Sequence, residues 1–250
     1  MVNVGLIGYG KAGMAVAEVL ATDPRYNLRW VARRHANADG ETVSAGTKEL
    51  PIVGLAGCNL DDWLDTHPVD AVVDFSRPDA VLLYGEALRK RGVALVSAIS
   101  AYSDKELDYL RSLGEHMQVM ASPNITLGIN FLILAAKLLR GIAPFADVEI
   151  LEQHFREKPE VSGTARKMAQ SLELDEERIT SLRLGGIVGH HEVIFGFPYQ
   201  TVRLIHSAIK REAFGTGAAF ALSELLDQPP GFYTFDDLLM KRVRQGLLAT

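Results

Sequence analysis

Three groups of residues have the types and spacing to do chemistry. Gly8, Tyr9, Gly10, Lys11, Ala12 and Gly13 form a G-x-G-x-x-G between the apolar run Val2–Ile7 and a helical pattern over 11–21. In that context glycine backbone can close on a pyrophosphate at a helix N-terminus, so the segment is expected to bind a dinucleotide. NAD-selective folds place an acid about twenty residues further on, against the ribose 2′-hydroxyl. Here the second strand pattern runs out in Arg33 and Arg34, whose guanidinium forks suit a 2′-phosphate. The expected cofactor is NADPH, with NADH admitted. Two solvated loop arginines are the alternative. In the third group, His154 and Lys158 leave a strand pattern, and Ser162, Gly163 and Thr164 open a helix. The N–H groups of such a helix start, with two hydroxyls, make a nest for a carboxylate. The imidazole and ammonium could then neutralise and protonate an anionic, imine-type substrate. On spacing alone, an N-cap with surface charges explains the same residues.

Other groups invite the wrong chemistry. His190-His191-Glu192 looks metal-like, but neighbours on a strand face opposite sides, so the two imidazoles do not share an ion. A structural role is expected there, and no metal site. Cys58, the single cysteine, is read as an ordinary thiol. It excludes internal disulfides and fits a reducing cytoplasm. Leu238, Leu239 and Val243 are spaced as the packing face of a final helix.

Positioning these groups needs a frame. Val2–Ile7, 28–32, 71–75, Ala94–Ser97 and Gln118–Ala121 are short strand-like runs, and 11–21, 79–91 and 104–115 are helical in pattern. That alternation predicts an α/β fold with a parallel sheet and crossover helices. The stretch 35–60 reads as loops or a short strand. Beyond Asn124 come a helix over 130–139, a strand over 148–152 and a helix over 163–172. Three consecutive strand runs follow, 179–188, 192–197 and 201–206, for which antiparallel pairing is expected. A helix over 213–225, a break at Pro229-Pro230-Gly231 and a helix over 236–244 close the chain. The expected division is a dinucleotide-binding domain over 1–124 and a substrate-binding and oligomerisation domain over 125–231, with 232–250 packing back on the first.

Apolar residues make up 48% and charged residues 23% of the 250-residue chain, as in a soluble globular protein. A formal net charge of −5 with no dense basic run argues against nucleic-acid or anionic-membrane partners. No apolar stretch reaches the roughly 18–20 residues needed to span a bilayer. No basic leader or cleavage site precedes Val2–Ile7, and a cytoplasmic location is expected.

Several segments, in order and spacing, resemble the 4-hydroxy-tetrahydrodipicolinate reductase family, also called dihydrodipicolinate reductase. They are residues 8–13, Asp74-Phe75-Ser76-Arg77-Pro78, Ser122-Pro123-Asn124 with Gly128 and Asn130, and residues 154–165. Residues 181–195, His206 with Arg211 and Phe214, and Pro230-Gly231-Phe232-Tyr233 continue the likeness. The resemblance implies a Rossmann-like N-terminal domain and a C-terminal α+β domain with an open mixed sheet, assembled as a homotetramer. It implies NADH- or NADPH-dependent reduction of a cyclic dicarboxylate at a C=N–C=C system, in lysine and diaminopimelate biosynthesis. By the same resemblance His154 is the catalytic histidine and Lys158 the proton-donating lysine. Ser162, Gly163 and Thr164 are the substrate-carboxylate loop, and Asp74, Phe75 and Ser76 lie beside the nicotinamide ribose. Asn124 joins the cofactor set. The chain departs from the pattern at Phe155, which replaces a second histidine, and at Val161, with one residue fewer between lysine and serine. A Gly-Thr-Thr-Gly-Phe loop is replaced by Ala98-Ile99-Ser100-Ala101-Tyr102, where Ser100 alone keeps an aliphatic hydroxyl for the substrate. Two other functions stay open: a reductase or dehydrogenase for another imino or keto acid, and a non-catalytic dinucleotide-binding regulator.

Overall fold

Short apolar strands, most of them followed by a helix, wind into a parallel sheet in the first half of the chain. The computed structural model describes residues 1–35 and 40–248. The elements up to the fourth helix are β1 (Val2–Ile7), α1 (Lys11–Thr22), β2 (Tyr26–Arg33), β3 (Thr42–Ala45), β4 (Lys48–Gly54), α2 (Leu60–Thr66), β5 (Ala71–Asp74), α3 (Val81–Arg91), β6 (Ala94–Ser97) and α4 (Asp104–Gly114). Then come β7 (Gln118–Ala121), α5 (Leu127–Ile142), β8 (Asp147–His154), α6 (Gly163–Ser171), β9 (Ile179–Arg183), β10 (Gly189–Phe197), β11 (Gln200–Ala208), α7 (Glu212–Leu225), β12 (Gly231–Tyr233) and α8 (Phe235–Leu248).

The first sheet has the order β12-β7-β6-β5-β1-β2-β4-β3 and is parallel except for the β3–β4 pair. Strand order reverses between β1 and β5. In open α/β sheets that reversal leaves a crevice at the carboxyl ends of the two strands, where Gly8 and Phe75 stand. β5 and β6 are buried along their whole length, as strands covered on both faces must be. Residues 35–60, read as loops or a short strand, hold the β3–β4 hairpin and the start of α2; part of that stretch, 36–39, lies outside the described residues.

The second sheet has the order β11-β10-β8-β9. β8 alternates strictly, burying Val148, Ile150, Glu152 and His154. On that face Ile150, Val193 and Phe195 pack with Ile133 and Ala136 of α5 and Ala165 and Met168 of α6. One expectation is corrected here. β10 and β11 are antiparallel, but β9 pairs with β8, in parallel. Helix α6 lies between β8 and β9 and supplies the crossover that a parallel pair needs. Residues 184–188 are not strand: Gly185, at φ +48, turns the chain after β9.

Two compact units result: Met1–Thr126 with Phe214–Thr250, and Leu127–Ala213. Residues 214–231, expected with the second domain, belong to the first unit. The reason is close helix packing through small residues. A Cβ on Gly217 would lie 1.9 Å from the Ile125 carbonyl oxygen, and one on Gly215 would lie 2.5 Å from Val19 Cβ. Tyr26 also donates its hydroxyl to the Ala219 carbonyl at 2.6 Å. The break at Pro229-Pro230 leads into β12, which adds to β7 in parallel. Leu238 and Leu239 of α8 are buried. No helix among the described residues is long and apolar enough to cross a membrane.

Candidate active site

The glycine turn is closed by steric necessity at two positions. Gly8 has φ +91, and a Cβ there would lie 2.6 Å from the Phe75 carbonyl carbon and the Ser76 nitrogen. A Cβ on Gly13 would lie 1.9 Å from the Gly8 carbonyl oxygen, so only glycine lets α1 start against the turn. Gly10, the N-cap of α1, instead faces open space, leaving its backbone free for close approach by a ligand. Lys11 is exposed at the first helical position and Ala12 is half-buried behind it.

A cleft of about 270 Å³ lies against this turn, lined among others by Tyr9, Gly10, Arg33, Arg34, Ser76 and Arg77. Arg33 sits 5.2 Å over the Tyr9 ring and pairs with Glu41 at 3.4 Å. Arg34 is 3.6 Å and Arg77 2.8 Å from Asp79. The structure thus brings the two expected arginines to the glycine turn and adds Arg77. Its sequence signal was a polar pair, Ser76-Arg77, directly after a buried strand at the switch point.

Asp74, Phe75 and Ser76 are not equivalent. Asp74 is fully buried, accepting from Ser76 N at 2.8 Å, Ser76 Oγ at 2.6 Å and Tyr84 OH at 2.5 Å. Burial pushes its carboxyl above the ordinary value against those three bonds. Its carboxyl shapes the turn, while Ser76 reaches the cleft. Phe75 packs against Phe214 with ring centroids 6.3 Å apart. Ser122 Oγ donates to the Asn124 carbonyl at 2.7 Å and accepts from the Asn124 amide at 3.3 Å, fixing that backbone. Ser100 is exposed on the loop after β6, which Tyr102 ties down through Ser97 at 2.7 Å. Burial drives the Tyr102 phenol well above its ordinary range.

In the second unit a buried polar cluster forms at the end of β8. His154 Nδ1 is 2.5 Å from Glu152 Oε2, and the two share a strand face because they are two residues apart. Glu152 is wholly buried. It accepts from both terminal nitrogens of Arg183, at 3.0 and 2.9 Å, from Ser181 Oγ at 2.7 Å and from the Ser162 amide at 3.2 Å. Burial pushes this carboxyl up, but the donors outweigh it and hold it at about 2. Arg183 reaches on to the carbonyls of Lys158, at 3.0 Å, and Glu160, at 2.7 Å, so the same fork fixes the Lys158 turn. Lys158 is half-buried, and no ion pair engages it among the described residues.

The Ser162–Thr164 segment is only partly the expected nest. The Ser162 side chain does not cap α6: its hydroxyl lies 2.9 Å from His191 Nε2, and its amide serves Glu152. The N–H groups at the start of α6, from the exposed Gly163 onward, are what an anion could reach. His191 enters this cluster, edge-on to His154 with centroids 5.2 Å apart. Burial, then the neighbouring His154, lowers its pKa to about 3, so it is neutral. His190, on the opposite sheet face, bonds Ser207 at 2.9 Å. Adjacent histidines do diverge, and His191 lies in the polar cluster with His154 and Ser162. Its signal, with that of Glu152 and Arg183, lay in cross-strand register: Glu152 is opposite both His191 and Ser181, and His154 is opposite Arg183. Among the described residues no group of three or more His, Cys, Asp or Glu is arranged to hold a metal ion.

A switch-point crevice, a glycine turn that only glycines can close and an arginine-lined cleft define a Rossmann-type dinucleotide-binding protein. The N-terminal model of dihydrodipicolinate reductase matches residues 2–125 and the C-terminal model matches 124–239. The 4-hydroxy-tetrahydrodipicolinate reductase of Caldanaerobacter subterraneus subsp. tengcongensis is 35% identical over 93% of this chain and 95% of that protein. That of Halorhodospira halophila is 29% identical over 95% and 98%. The solved structure of a dipicolinate-bound dihydrodipicolinate reductase from Paenisporosarcina sp. TG-14 has the same fold, with TM-score 0.77 at 23% identity over 94% of this chain and 97% of that one. The chain belongs to the dihydrodipicolinate reductase family.

Proposed function

We propose that this protein reduces a cyclic, unsaturated imine dicarboxylate with NADPH, the reaction of 4-hydroxy-tetrahydrodipicolinate reductase in lysine and diaminopimelate biosynthesis. The observation that carries the reading is the coupling of His154, Lys158 and the start of α6 through one buried carboxylate, Glu152, and one guanidinium, Arg183. The glycine turn fits a dinucleotide, because Gly8 and Gly13 close it where any Cβ would collide and Gly10 leaves the approach open. Bound there, NADPH supplies a hydride to the electron-poor carbon conjugated with the imine. Lys158 then holds and delivers a proton to the atom left with the electron pair, with His154 as second donor or electrostatic partner. Gly163, Thr164 and the start of α6 hold a substrate carboxylate, and Ser100 offers a hydroxyl. Tyr9, Gly10, Lys11, Arg33, Arg34 and Ser76, with Asn124, hold the cofactor.

Arg33, Arg34 and Arg77 at the cleft support NADPH over NADH. The single Cys58 supports a reducing, cytoplasmic setting. A homotetramer is supported by the family and by the second sheet's outer face, where Leu182 and Ile205 stay 38% and 57% exposed. A shifted substrate preference, with reduced activity on the family substrate and another cyclic imine or imino acid preferred, follows from Phe155, 41% exposed just after β8, where the family has a second imidazole. A phenyl donates no hydrogen bond, so the second carboxylate of the family substrate is held less tightly. The test is NADPH oxidation with freshly generated 4-hydroxy-tetrahydrodipicolinate beside a panel of cyclic imines and keto acids. Turnover of a cyclic imine supports the reading. Binding of NADPH with no turnover of any of them would favour a regulator, and preference for a keto acid would favour the related dehydrogenase.

A further inference from the structure

Glu152 is a charged carboxylate with no exposure to solvent, and burying such a group is costly unless every oxygen lone pair is used. Here five donors use them: Oε1 takes the Ser162 amide, Ser181 Oγ and one Arg183 nitrogen, and Oε2 takes the other Arg183 nitrogen and His154 Nδ1. Arg183 is itself saturated by the carbonyls of Lys158, Glu160 and Leu182. With the two bonds to Glu152 these fill its five N–H groups, and none of them requires the 2.5 Å contact between Glu152 and His154.

That contact has a chemical consequence. An ionised carboxylate with its remaining lone pairs filled by donors accepts only N–H from the ring. Nδ1 must therefore carry a proton, and only Nε2 is left to exchange one. Nε2 lies on the side of Gly189, where a Cβ would sit 3.3 Å from it, and the ring keeps 9% of its side-chain surface open to solvent. The edge of His191, anchored to Ser162, holds the ring from the side. We infer that Glu152, clamped by Arg183, is a positioning residue that fixes the tautomer and orientation of His154 and directs Nε2 outward as its only proton-exchanging atom. This deepens the reading above, because it assumes His154 acts on substrate. A buried carboxylate hydrogen-bonded to a catalytic imidazole performs the same task in hydrolases on unrelated folds.

The experiment uses the NADPH-bound full-length enzyme and reads three things: steady-state rates, NADPH affinity and the ¹⁵N shifts of His154. In wild type, with the pH raised until the ring is neutral, the shifts should show the Nδ1–H tautomer. A wild-type ring carrying its proton on Nε2 would overturn the inference without any variant. Glu152→Gln should lower kcat by about 10–100-fold, as loss of an orienting partner does elsewhere, with little change in NADPH affinity. Its ¹⁵N shifts should lose the single Nδ1–H signature, and Glu152→Asp, which keeps the charge, should recover part of both. In a His154→Ala background the Glu152→Gln change should cost less than about threefold, since its route to the chemistry is gone. An undiminished cost in that background, or an unaltered tautomer in Glu152→Gln, would show that Glu152 serves the fold only. If His154→Ala alone kept wild-type kcat, the catalytic assignment would fail, and the ¹⁵N shifts would still decide whether Glu152 sets the ring.

Discussion

In the proposed mechanism Lys158 and His154 act on one reacting centre, and their individual losses should be large and coupled. Losing a positioned proton donor costs on the order of 10²–10⁴ in rate, and Lys158→Met and His154→Ala are each expected to lower kcat by that much. NADPH affinity should change little, because the glycine turn and arginine cleft lie in the other unit. The double variant should lose less than the product, since both groups act on one developing charge. Near-wild-type kcat in both single variants would remove the assignment. At the cofactor end, NADPH should bind more tightly than NADH by roughly 1–3 kcal/mol through charge-assisted contacts. Arg33 is pre-paired with Glu41 at 3.4 Å, a distance loose enough for a phosphate to displace the carboxylate. The preference should shrink in Arg33→Asp and with added salt, and equal dissociation constants in wild type would reduce Arg33 and Arg34 to solvated charges. These residues were legible because their chemistry is local: a glycine turn has a fixed spacing, and so does a helix start. Glu152, Arg183 and His191 were not, because Glu152 meets Arg183 across 31 residues of chain and stands opposite His191 through strand register, which no local pattern displays.

The strand–helix alternation that declared the first sheet worked because every crossover there sits between two runs of similar character. In the second unit α6, between β8 and β9, is a crossover of the same kind, and it makes that pair parallel. The later runs, read as three antiparallel strands, include one that had already been claimed by β8. Helix α7 shows a second limit. Its glycines fit it against Ile125 and Val19, and tight helix packing of that kind has no periodic signature. The β8–β9 pairing also has a pH consequence. The Glu152 carboxyl sits at about 2 when folded, below its ordinary 4.5, so the stability it contributes is complete above pH 4.5 and is lost as pH falls toward 2. That span corresponds to on the order of 3 kcal/mol. Urea unfolding of the second unit should weaken steeply across this range in wild type and much less in Glu152→Gln. Parallel acid slopes for the two proteins would contradict the buried ion pair.

For the molecule as a whole, the chain forms two units with separate cores, and the proposed function assigns the cofactor to Met1–Thr126 with Phe214–Thr250 and the proton donors to Leu127–Ala213. The outer face of the second sheet, with Leu182 and Ile205 exposed, should be covered by further copies. Light scattering is expected to give a mass near four times 27.4 kDa, and a concentration-independent monomer would exclude the tetramer. The central claim is reduction of a cyclic imine by a bound nicotinamide, with the proton supplied from the Lys158 turn. Its most direct measurement follows the consumption of NADPH by the purified enzyme on freshly generated 4-hydroxy-tetrahydrodipicolinate, for wild type and Lys158→Met side by side. Substrate-dependent turnover is expected in wild type, with a loss on the order of 10²–10⁴ in the variant at unchanged NADPH affinity. No substrate-dependent oxidation in wild type, or equal rates in the two proteins, would contradict it.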